Sequence, residues 1–190
     1  MANTDNATGL SPVRSGDGSP WNGATELFFV PASDNTVTFI GAPIKLAGDA
    51  DANGVPSATT ATGTGQKIVG VCVSVVPNVA TDPPYRLAST LRYINVCTDP
   101  NALFEVQCNG TLTTTMIGNT CDMSTPTTGV TATGRSLVEA NLATVTASGD
   151  GSEDFTIVRL APRVDNEVGA DAKIWVRLNN HEYIDANAGS

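Results

Sequence analysis

A mainly β chain, folded as a compact barrel or sandwich domain behind an extended N-terminal arm, is the architecture this sequence predicts. Three observations predict it. Runs of five to ten residues rich in Val, Ile, Thr and Phe recur between turns rich in Gly, Pro, Asp and Asn. Only 15% of the 190 residues are charged, too few for a long solvated helix or coiled coil. The first 24 residues carry few large apolar side chains beyond Leu10, Val13 and Trp21, so no core is expected there. The chain therefore divides into an arm, 1–24, and a β domain, 25–190.

Taken in order, Glu26-Leu27-Phe28-Phe29-Val30 ends at Pro31, and Thr36-Val37-Thr38-Phe39-Ile40 runs to Gly41. Pro43 to Leu46 extends that sheet after a bend. Lys67 to Val76 is the strongest strand, with Val69, Val71, Val73 and Val75 on one face and small residues, Gly70, Cys72 and Ser74, on the other. Ser89 to Thr98 and Ala102 to Cys108 read as a hairpin turning at Asp99-Pro100-Asn101-Ala102, followed by a strand from Leu112 to Met116. Asp154 to Leu160 and Lys173 to Leu178 complete the set. Arg135 to Leu142 is the one helical candidate. Ala58 to Gly65 and Ser124 to Gly134 read as surface loops.

Ten Lys and Arg against 19 Asp and Glu give a net charge of −9, which argues against nucleic acid as a partner, because phosphate neutralisation needs clustered cations. No apolar run approaches the ~20 residues of a membrane helix. The N-terminus has no cationic segment followed by an apolar one, so a chain kept out of the general secretory route is expected, and the sequons at Asn6 and Asn109 are read as chance matches. Four cysteines, Cys72, Cys97, Cys108 and Cys121, lack C-x-x-C spacing. In the proposed hairpin Cys97 and Cys108 share a face but sit several residues apart along the ladder, too far to bridge. Buried free thiols are the expectation.

No catalytic motif stands out, and neither an enzyme nor a cofactor is expected. Asp49-Ala50-Asp51-Ala52-Asn53-Gly54 matches the first half of a calcium-binding EF-hand loop, but position twelve is Thr60 rather than the bidentate Glu. An Asx-rich turn is the preferred reading, with a looser calcium site at Asp49, Asp51 and Asn53 as its alternative. Asp150-Gly151-Ser152-Glu153-Asp154 pairs carboxylates in a Gly-containing loop, a pattern usually solvated and not catalytic. His181 lies near the C-terminus, and the reading for it is a packing or surface residue. Gly63-Thr64-Gly65-Gln66-Lys67 lacks the spacing of a phosphate loop and precedes a strand.

Three stretches together are similar to a family of tailed-bacteriophage virion proteins, the head decoration or cement proteins. The first is Met1-Ala2-Asn3 followed by Gly9-Leu10-Ser11-Pro12-Val13-Arg14, similar to an M-A-N…G-[FL]-x-P-V-[RK] start. The second is Tyr85 to Tyr93, leading to Thr98-Asp99-Pro100 and Phe104-Glu105-Val106-Gln107. The third is Asp165 to Ala170, continuing through Trp175 to His181; Gly41 to Gly48 is also similar. The family often places a histidine after the first motif, where this chain has Ser15-Gly16.

The resemblance implies a non-enzymatic capsid decoration protein, assembled in the host cytoplasm and bound to the exterior of the major capsid protein lattice, where it bridges capsomers. It implies self-association as a homotrimer, with a dimer as the alternative. Leu10, Pro12, Val13, Arg14 and Trp21 would be the arm's contacts with a neighbour, by strand addition or as anchors. Two rival functions remain open. One is another virion structural role, in the tail tube or the head–tail joint. The other is a glycan-binding module using an exposed aromatic platform drawn from Trp21, Trp175 and Tyr183.

Overall fold

Two closed sheets, each around its own core, account for most of the chain in a computed structural model that describes residues 3–124, 126–147 and 152–184. A short strand, β1 (Ser11–Arg14), comes first. Then β2 (Glu26–Val30), β3 (Pro43–Ala50), β4 (Pro56–Thr60), β5 (Gly70–Val76) and β6 (Arg92–Cys97) close a barrel in the order β2-β4-β3-β5-β6. Alternation of Phe28 and Val30, and of Ile94 and Val96, fills its interior together with Ile44 and Val69. The mainly β expectation holds.

The second half supplies β7 (Leu103–Asn109), β8 (Thr120–Ser124), β9 (Gly129–Val130), β10 (Arg135–Ser136), β11 (Glu139–Thr146), β12 (Phe155–Leu160) and β13 (Lys173–Leu178). Six strands form a sheet in the order β1-β7-β11-β8-β12-β13, and β13 pairs again with β7, which curls the sheet round. Phe104, Val106, Phe155, Ile157, Ile174 and Val176 point inward. Strand β5 is the wall between the cores: Cys72 belongs to the first and Val71 to the second. Gly70 to Cys72 are fully buried, and Val73 and Val75 pack partly against the second and first cores, which explains why this stretch gives the strongest strand signal. Gly70, at φ +159°, lies so close to the Cys97 carbonyl that a Cβ there has no room.

Several expectations are corrected. Residues 89–98 and 102–108 do not form a hairpin. Strand β6 pairs with β2 and β5, whereas β7 pairs with β1, β11 and β13, and the turn at Asp99–Ala102 carries the chain from one closed sheet to the other. The helical candidate at 135–142 is strand β10 followed by β11, where Ala140 and Leu142 are buried in alternation, so packing overrides the helix propensity of Glu, Ala and Leu. The supposed loop at 58–65 begins inside β4, whose Ala58 and Thr60 are fully buried because the narrow barrel accepts only small side chains there. The loop at 124–134 contains β9.

Thr36 to Ile40 is not a strand but makes isolated bridges, Thr38 to Arg86 and Ile40 to Arg135. Leu112 to Met116 contains a 3₁₀ turn, Thr114–Met116. Nor is residue stretch 1–24 without a core: Leu10 is 1% exposed and sits in the second core, and β1 pairs with β7 through Ser11–Glu105 and Pro12–Phe104.

Candidate interaction surface

Strand alternation sets one outer face of the second sheet. Along β13, Ile174, Val176 and Leu178 turn inward, which leaves Lys173, Trp175 and Arg177 outward. Trp175 lies opposite Glu105 on β7 and Arg159 on β12, where a bulge between Ile157 and Arg159 resets the strand. The guanidinium carbons of Arg14 and Arg159 stand 5.7 and 5.4 Å from the Trp175 ring centroid. Both distances suit attraction between a cation and an aromatic face. The Trp175 Nε1 atom is buried without a partner.

Beside this ring, Arg163 donates to Glu105 at 2.7 Å and to Asp165 at 3.2 Å. Those bonds, first to Asp165 and then to Glu105, raise the Arg163 pKa, and Arg163 in turn holds Asp165 below its ordinary value. The pairs are exposed, so they orient side chains more than they stabilise the fold. Further along, the Asn3 side chain donates to the Glu167 carbonyl at 2.9 Å and the Ala170 carbonyl at 2.7 Å, and accepts the Glu167 amide at 2.9 Å. Asn166 braces the same loop by bonds to the Ala161 and Lys173 backbone.

The five N-terminal residues singled out from sequence have different fates. Leu10 is used by the chain's own second core. Pro12 and Val13 are half-buried in β1, and the Val13 carbonyl accepts the Trp21 amide at 3.1 Å. Trp21 packs against the second core, and its indole N–H donates to the Ala24 carbonyl at 3.3 Å. Arg14 is exposed and reaches Trp175. Trp21 also lines a groove of about 460 Å³ with Glu26, Asp99 and Tyr183, so two of the three candidate aromatic residues meet there while Trp175 lies elsewhere.

The acidic motifs are organised internally. Asp51 Oδ1 accepts the Asn53 and Val55 amides, each at 2.8 Å, and Oδ2 accepts the Tyr93 hydroxyl at 2.6 Å. The Tyr93 bond is the main cause that lowers the Asp51 pKa, followed by Val55. Asp49 accepts the adjacent Ala50 amide. This is Asx-turn geometry. Among the described residues no group of three or more His, Cys, Asp and Glu is placed to hold a metal ion.

Of the second cluster, Asp150 and Gly151 lie outside the described residues. Asp154 is fully buried and accepts the Gly65 and Met123 amides, each at 2.9 Å, tying the first barrel's 61–67 loop to β8. Burial, only partly offset by those bonds, pushes its pKa up to about 6. His181 is 1% exposed, accepts the Tyr183 amide on Nδ1, and is held below its ordinary pKa by burial. The backbone around it bridges to Ile68 of the first half.

Two functionally silent-looking arginines were not singled out by sequence as structural. Arg86 is fully buried and donates to the carbonyls of Thr90, Thr36, Pro31 and Asp34. Arg92 is 1% exposed, bonds the Val76 carbonyl at 2.9 Å and pairs with Asp82 at 2.9 Å. All four cysteines are free and buried.

Comparison with protein-family models, with curated proteins and with solved structures finds no match.

Proposed function

We propose that this chain is a virion structural subunit of a tailed phage, a head decoration protein that binds the outside of the major capsid lattice and stabilises the head by bridging capsomers. One observation carries the reading. Parts of the stretches that resemble the family, separate in sequence, adjoin in space: Asn3 fastens to 165–170, Arg14 approaches the Trp175 ring, and Ser11 and Trp175 both lie opposite Glu105. A shared pattern that assembles one continuous seam is what a common structural role requires.

The buried polar groups fit a non-enzymatic subunit. Arg86, Arg92 and Asp154 are each committed to backbone groups that hold loops in place. The acidic balance suits the exterior of a DNA-filled shell, since packaged phosphate repels it. Many weak contacts across one lattice would act together through local concentration. Self-association as a homotrimer, with a dimer as the alternative, completes the reading. The contact residues offered to a neighbour are Pro12, Val13, Arg14 and Trp21, while Leu10 fastens the segment to its own subunit.

The test is binding of the purified chain to expanded heads that lack it. Co-sedimentation at high copy number, together with a raised temperature of head disruption, is expected. Failure to bind heads sinks the proposal, and about six or twelve copies at a neck would move the chain to the head–tail joint. The groove shared by Trp21 and Tyr183 is the observation that favours the second reading, a glycan-binding module, because sugar rings stack on aromatic faces and their hydroxyls bond carboxylates such as Glu26. Binding on a glycan array that is lost in Tyr183→Ala would support it.

A further inference from the structure

On a chain with net charge −9, cations are concentrated on one face. Of the ten Lys and Arg, Arg86 and Arg92 are buried. Arg14, Arg159, Lys173 and Arg177 surround Trp175 or share its strand, and Arg163 stands beside them. The carboxylates interspersed at the ring, Glu105 and Asp165, are both bonded to Arg163. Trp and Arg are the side chains that most often anchor protein interfaces. Two exposed valines accompany them: Val158 at the β12 bulge, 39% exposed, and Val164 beside Arg163, fully exposed.

The other flank of the same sheet has the opposite sign. Strand β8, Thr-Cys-Asp-Met-Ser, and strand β11, Glu-Ala-Asn-Leu-Ala-Thr-Val-Thr, contain no Lys or Arg. Cys121 and Met123 turn inward, so Asp122 faces out. Glu139 begins β11, and the Gln107 side-chain amide donates to it at 3.2 Å and to Asp5 at 2.8 Å, which brings two carboxylates together at that end of the flank.

We infer that the Trp175 face is a self-association surface that receives the acidic β8–β11 flank of a second copy in a head-to-tail contact. The charges decide both the occupant and the symmetry. A cationic face placed against its own two-fold copy would set Arg14, Arg159 and Arg177 against one another. A contact between unlike flanks of neighbouring copies pairs opposite charge and buries the indole. Such a heterologous contact repeats from copy to copy, closing as a ring where the rotation between copies allows and extending as a filament where it does not. The inference rests on the reading of the chain as a symmetric structural subunit. Its test uses the purified chain alone, so failure to self-associate and failure to bind heads are seen separately.

Sedimentation velocity of the full chain provides that test. The wild-type chain should associate at about 50 mM salt and move toward monomer at about 500 mM, because exposed charge pairs are screened. Arg159→Glu with Arg177→Glu should be monomeric at low salt, as should Asp122→Lys, each with an unchanged circular dichroism spectrum. An equimolar mixture of these two variants places opposite charge at both contacts, one native and one reversed, and should associate again. A wild-type chain that stays monomeric at low salt up to about 100 μM overturns the inference, because charge attraction is then at its strongest. Association that is indifferent to salt, or a mixture that fails to associate, overturns it too.

Discussion

The Asn3 side chain brackets Glu167 from both sides of its peptide: Nδ2 donates to the Glu167 carbonyl and Oδ1 accepts the Glu167 amide, each at 2.9 Å. A third bond, to the Ala170 carbonyl, closes the clamp. Asn3→Ala removes all three and frees the first residues from the 165–170 loop. The bonds are exposed, so about 1 kcal/mol of local stability is at stake. Hydrogen exchange at the Glu167 amide should accelerate by roughly tenfold, with the global melting temperature little changed.

Leu10 is different because it lies inside a core. Leu10→Ala leaves a cavity at the edge of the second core and should cost about 2–5 kcal/mol. Urea unfolding measures this directly. Removal of residues 2–20 should therefore destabilise the second sheet as well as remove the segment, and a truncated chain as stable as the parent would refute the packing.

Arg86 fans its guanidinium over the carbonyls of Thr36, Pro31, Asp34 and Thr90. A lysine has a single ammonium and cannot span that set. Arg86→Lys should lose about 3 kcal/mol or more, since buried carbonyls are left without donors. The readout is a lower midpoint in thermal unfolding, together with faster exchange of the Thr38 and Ser89 amides that the ordered loops protect.

Asp154 gives a pH dependence of defined sign. Its folded pKa, about 6, lies above the ~3.9 of an unfolded aspartate. The folded chain thus binds a proton in that window that the unfolded chain does not. This contribution to stability is complete below ~4 and is lost as pH rises through about 6. His181 works the other way, since its lowered pKa makes protonation below ~6.5 unfavourable to the fold. Both chains keep His181, so comparison with Asp154→Asn isolates the aspartate. Urea unfolding should show the wild-type chain gaining stability relative to Asp154→Asn between about pH 7 and pH 5. Parallel profiles would contradict the assignment.

The four buried thiols should resist modification. Burial pushes Cys72, Cys108 and Cys121 up to about 12 and raises Cys97 as well. Iodoacetamide at about pH 8 should leave the native chain unlabelled, because the thiolate is the reactive form, and should add four groups after denaturation. Early labelling of any one cysteine would show that its wall opens.

The strands that were legible in sequence share one property: Phe28-Phe29-Val30, Val71 to Val76 and Ile174 to Val176 are β-branched or aromatic runs whose local chemistry agrees with their final place. Strand β4 was not legible, because a narrow barrel wants Ala58 and Thr60 where a surface loop would use the same residues. Strand β11 opens with Glu-Ala-Asn-Leu-Ala, helix formers in isolation, and only alternate burial reveals it. The pairing of β6 and β7 with other strands is a non-local choice that a hairpin-like turn cannot report. On the candidate surface, the alternation of Lys173, Trp175 and Arg177 was there to be read. The approach of Arg14 and Arg159 to the indole depends on cross-strand register and was not.

The seam between the N-terminal segment and the end of the second sheet also sets an order of events during synthesis. Asn3 finds its partner 164 positions later, and β1 rests on a strand that begins at Leu103. Residues 3–14 are synthesised well before the strands and loop that seat them. Until then Leu10 stays in water and β7, once made, exposes an unpaired edge to the crowded cell. Docking of Asn3 and β1 therefore waits on β7 and the 165–170 loop, and whether that segment is seated distinguishes an incomplete subunit from a finished one.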